Sequence, residues 1–229
     1  MKWIRLVLCL LSCGVAAAQQ VRVSLQFIEV SHPMLTELLN ETGGHTLHAK
    51  AVSLTKEGKA KILDSCVVTG RSGQKLRLES IREEIYPTEV GPPTLPCSIG
   101  NSLGPVLPEF PTNPIYRSIT AFETRNTGVT LEVEATIEDD GTSIGLLLSP
   151  EWVTPVRLET MLEHHDQWGD GSLLMPIYET LRVNTGVSVV PGKFELVFVI
   201  TPKPVAPVPG VSRKVMVFVR AEIIAVPKG

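Results

Sequence analysis

The chain has 229 residues, 43% of them hydrophobic, with 21 basic and 24 acidic side chains and a formal charge of −3. That length fits one domain or two small ones. With no dominant basic patch, nucleic acid is excluded as a partner class. Beyond the N-terminus no segment has the long uncharged apolar run of a membrane-spanning helix, so entry into a membrane would need β-strands or a lipid anchor.

The first eighteen residues read as a secretory signal peptide. Lys2 and Arg5 form a positive start, residues 4–11 are apolar apart from Arg5, and Ala16-Ala17-Ala18 supplies a small-residue cleavage site. A second reading takes Leu10-Leu11-Ser12-Cys13 as a lipoprotein box that places a lipid on Cys13. Leu11 is unusual in such a box, which favours cleavage after Ala18. Cleavage there removes Lys2 and Arg5, leaving residues 19–229 with a charge of about −5. Export to an oxidising compartment opens the way to a Cys66–Cys97 disulfide; the alternative is two unpaired, small apolar side chains.

In the mature chain, Val21, Val23, Leu25 and Phe27 alternate with polar residues, the period of a half-buried strand. Pro33 then starts a short helix through Met34, Leu35, Leu38 and Leu39, ended by Thr42-Gly43-Gly44. Residues 46–86 read as several strands, among them 61–69 and 74–86 around an Arg71-Ser72-Gly73 turn. Eight prolines between 87 and 114 predict a long irregular loop.

Val129, Leu131, Val133, Ala135 and Ile137 alternate strictly with polar residues. Asp139-Asp140-Gly141 and an apolar return over 144–149 complete a β-hairpin. Leu158, Met161 and Leu162 have the spacing of a short helix. Strands follow at 181–190, 194–201 and 214–225, the last two separated by a Pro-rich linker over 202–212. These two strands are apolar on both faces, which suits either a two-layer core or one face on lipid. The expected fold is mostly β, built of antiparallel sheets and hairpins with one short N-terminal helix.

Candidate chemistry is sparse. His45 and His48, and His164, His165 and Asp166, are metal-ligand types, yet nothing in the sequence makes them converge. Surface polarity explains them more simply. Ser72 sits in Arg-Ser-Gly and not in a hydrolase elbow. Glu83 and Glu84 are adjacent, so on a strand they face opposite sides and cannot work as a close pair. No phosphate loop or dinucleotide fingerprint occurs. The sequence therefore argues against an enzyme, and for no catalytic residue, cofactor, metal or small-molecule substrate.

The ordered series of elements resembles the secretin domain of type II and type III secretion and type IV pilus channels. The resemblance runs through Phe27-Ile28-Glu29, then Thr69-Gly70-Arg71-Ser72-Gly73-Gln74-Lys75, then residues 82–89. It is strongest at Gly128-Val129, the Asp140-Gly141 turn and Pro150-Glu151, and it continues through Pro176-Ile177, Val183-Asn184-Thr185, residues 187–192 and the closing strand. Three features depart from the family. Val199-Ile200-Thr201 stands where secretins usually carry Gly-Gly-Leu, the short linker over 202–212 replaces a Pro- and Gly-containing segment that ends in an aromatic, and the similarity begins almost at the cleavage site, without upstream ring-building domains.

The resemblance implies a homo-oligomeric β-barrel for protein secretion in the outer membrane or periplasm of a two-membrane bacterium, with secretion-system components as partners. It needs no catalytic residue. The alternative is a monomeric periplasmic binding or scaffold module derived from that domain.

Overall fold

A computed structural model describes residues 19–41, 45–91, 119–166, 169–202 and 212–225. The expected signal peptide, Cys97 and most of both Pro-rich segments lie outside them.

The elements run β1 (Gln20–Ser31), α1 (His32–Glu41), α2 (His45–Lys56), β2 (Lys61–Arg71), β3 (Lys75–Val90), β4 (Ile119–Ile137) and β5 (Ile144–Leu162). Two short bridges follow, β6 (His165–Asp166) and β7 (Gly169–Asp170). Then come β8 (Leu173–Arg182), β9 (Thr185–Val189), β10 (Glu195–Ile200) and β11 (Arg213–Ile224). Strands pair into two main antiparallel sheets. The first has the order β10-β11-β1-β2, the second β3-β4-β5-β8, with β9 also on β5. The fold is mostly β, as the alternating patterns require.

One core lies between the sheets. Val21, Val23, Leu25 and Phe27 of β1 and Val215, Val217 and Val219 of β11 meet Val129, Leu131 and Val133 of β4 and Leu146 and Leu148 of β5. These are the alternating positions read from the sequence, because successive strand residues point to opposite faces. A second core lies on the far side of the first sheet. There Leu35 and Leu38 of α1 and Leu47, Ala51 and Leu54 of α2 pack on Ile28, Val30, Met216 and Phe218.

That second core corrects two expectations. Residues 46–56 form a helix, not strands; Leu47, Ala51 and Leu54 recur at helical spacing and share one face. The chain thus has two N-terminal helices where one was expected. Of the two readings of the two-faced strand β11, the packed core is the one the structure bears out: residues 215–219 are 0–1% exposed, one side against the second sheet and the other under the helices.

Other differences are local. Residues 158–162 extend β5 and do not form a helix. The expected strand over 181–190 divides between β8 and β9. β3 runs through Pro87 to Val90, into the segment read as a loop. It is an outer strand, where a missing N–H leaves no ladder bond unmade.

Candidate functional site

The second sheet is forked. β4 and β5 pair from Ile137↔Ile144 to Gly128↔Val153 and then part. Beyond that point β4 continues with β3 alone, from Thr127↔Arg82 to Ile119↔Val90. β5 continues with β8 alone, from Thr154↔Glu179 to Leu162↔Leu173. Each continuation is a two-stranded hairpin about nine residues long, roughly 30 Å at the rise of a strand.

Four of the six residues expected from the secretin motif meet at this fork. Gly128 and Val129 lie opposite Val153 and Trp152, and Pro150 and Glu151 lie opposite Leu131 and Thr130. Asp140 and Gly141 lie at the other end of the β4–β5 ladder, about 30 Å away along the strand. There the Gly141 amide closes the turn on the Glu138 carbonyl at 2.8 Å with φ +67°. The Thr142 side chain and amide both donate to Asp140 and hold its carboxyl below the usual range. These two residues make the hairpin turn and take no part in the fork.

Backbone chemistry explains where the fork falls. A strand residue's N–H and C=O point to the same neighbour, and the side alternates along the chain. The Pro150 carbonyl accepts from the Val183 amide at 3.2 Å, so residue 150 points toward β8 and β9. Its missing N–H falls where β5 changes partner from β9 to β8. By the same alternation residue 155 points toward β4, and Pro155 has no donor to offer it. The β4–β5 ladder ends two residues before that proline.

At the same level Gly128 has φ +116°, and a Cβ there would lie 2.2 Å from the Ser80 carbonyl oxygen. Only glycine lets β4 pass β3 so closely while it leaves β5. Glu151 and Arg182 bridge the base of the second hairpin at 2.6 Å.

The Ser72-Gly73-Gln74 motif has a separate task. It turns the chain from one sheet to the other. The Ile137 amide donates to Ser72 Oγ at 3.0 Å, the Gly73 amide donates to the Ala135 carbonyl at 2.8 Å, and Gly73 has φ +74°. The corner is thereby tied to the end of β4.

Beyond the fork the two hairpins lie one over the other. Tyr86 of β3 and Tyr178 of β8 bring their ring centroids to 6.0 Å. Arg125 donates to Thr180 at 3.3 Å, and Tyr86 donates to Glu123 at 3.3 Å. Thr127 donates to the Arg82 carbonyl at 3.3 Å. Burial, followed by the charge of Glu123, raises the Tyr86 hydroxyl above its ordinary value; burial and then Glu84 do the same to Tyr178. This polar clasp joins residues about ninety positions apart and follows no short motif, so nothing in the sequence singled it out.

The outer surfaces of the hairpins are apolar. Ile85 is 67% exposed, Leu158 66% and Phe122 59%, with Ile119, Met161 and Leu174 also exposed. A folded chain leaves large side chains clustered on two projections only at a cost in water, which marks a surface meant for contact.

The remaining candidates do not build a site. Cys66 is a free thiol buried in β2 against the main core, its pKa pushed up to about 11 by burial and then by Asp64. Cys97 lies outside the described residues. His48 bonds Gln26 Oε1 at 2.7 Å and stacks on Phe194 at 3.8 Å; burial, then Arg220, lowers its pKa. It is a packing residue of α2. His164 and His165 are exposed beyond the end of β5, and no group of three metal-ligating side chains occurs among the described residues.

No family model and no curated protein matches the chain. Solved structures of secretins do. The type II secretin GspD of enteropathogenic Escherichia coli is 11% identical, with a TM-score of 0.45 over 91% of this chain and 70% of that one. The Salmonella SPI-1 type III secretion injectisome secretin InvG is 14% identical, with a TM-score of 0.47 over 92% of this chain and 66% of that one. The type IV competence pilus secretin PilQ of V. cholerae is 13% identical, with a TM-score of 0.43 over 91% of this chain and 62% of that one. The chain is similar to secretins over about nine-tenths of its length and spans about two thirds of theirs.

Proposed function

We propose that this is a secretin-like protein of the cell envelope whose forked sheet assembles, copy to copy, into an oligomeric β-channel for protein secretion. The observation that carries the reading is the fork itself: two hairpins with apolar surfaces project from a stable body, and among the described residues their outer strands β3 and β8 each pair on one side only. β3 and β8 end the four-strand antiparallel path β3-β4-β5-β8, so they run in opposite directions. β8 of one copy can therefore meet β3 of the next in an antiparallel ladder, and repetition closes a ring. Closure is what satisfies strand edges inside a bilayer. Hairpins about 30 Å long, tilted as barrel strands are, reach across most of a hydrocarbon layer. The export signal expected at residues 1–18 would deliver the chain to that membrane, with secretion-system components as its partners.

A second reading, a monomeric periplasmic binding or scaffold module, is favoured by one feature. β11 and most of β10 are covered by the helices and the second sheet, so the two-faced apolar strands no longer speak for lipid.

The test is membrane fractionation, followed by light scattering and negative-stain imaging of unheated, detergent-extracted protein. Large rings in the outer-membrane fraction are the expected result. A soluble monomer overturns the channel and leaves the module.

A further inference from the structure

We draw no further inference here: the strongest candidate, the shallow groove over Leu147 and Gly186 on the outer face of the β4-β5-β9 ladder, is an unpartnered sheet face, and nothing in the structure shows what covers it.

Discussion

The body and the hairpins of this protein use the same strands to opposite ends. In the body, β4 and β5 alternate strictly, and every inward residue from Val129 to Ala135 is buried. Past the fork the same two strands carry their large apolar side chains into solvent. Stability therefore belongs to the body, where burial of apolar area contributes most of the folding free energy. The hairpins contribute little of it, because they bury little. A region that keeps Ile85, Phe122 and Leu158 exposed is shaped by contacts that a single chain does not make.

The sharpest way to break this comparison is a pair of matched truncations. Phe218→Ala, beneath the helices at 1% exposure, is expected to cost about 3–5 kcal/mol in urea unfolding. Phe122→Ala on the first hairpin is expected to change stability by less than ~0.5 kcal/mol yet to reduce ring yield. Similar unfolding midpoints for the two variants would deny the division of labour.

At the hinge between the regions, Gly128→Ala forces an L-residue to φ +116° with its Cβ against the Ser80 carbonyl. A destabilisation of about 2 kcal/mol or more is expected by the same measurement, the strain of a forbidden backbone added to a steric clash. A near-neutral variant would mean that β4 can leave β3 and β5 without a glycine.

The pH dependence probes the body alone. Burial and Arg220 depress the His48 pKa in the folded state, so the unfolded chain binds that proton more readily. His48 therefore contributes stability above its ordinary value near 6.5 and loses it as the pH falls through its lower folded value. His48→Gln is expected to flatten the urea midpoint between pH 7 and pH 5 relative to the parent chain. An unchanged slope would place the acid sensitivity elsewhere.

The smallest effect is expected at the base of the second hairpin. Arg182 is mostly exposed, so Arg182→Ala should lower stability by less than ~1 kcal/mol despite the 2.6 Å pair with Glu151. A larger loss would show the hairpin base to be part of the stable body.

Much of the fold was legible in the sequence. The alternation in β1, β4 and β11 and the Asp140-Gly141 turn are local signals, and each became the element it predicted. Thr46, Val52, Ser53 and Thr55 give α2 a strand-like composition, and the signal that decides for a helix is Leu47, Ala51 and Leu54 at helical spacing. Residues 158–162 failed in the reverse direction. Leu158, Met161 and Leu162 mimic helical spacing, but two register shifts against β8 account for it in a strand. The motif residues Gly128, Val129, Pro150 and Glu151 were noticed for their resemblance, and their shared position at the fork appeared only when the strands were paired.

The sequence by itself determined the strand class, the hairpin at Asp140-Gly141, the glycines that turns demand and the order of elements along the chain. Period, turn chemistry and proline's missing donor act within a few residues, so they are written in the sequence directly. Tertiary structure alone decided which two-faced strand is covered and which surface stays open. A run such as residues 215–219 looks the same whether helices or lipid lie on its second face, and only packing supplies the helices. It decided the Tyr86–Tyr178 clasp for the same reason: a contact across about ninety residues depends on where two hairpins cross, and no local rule carries that.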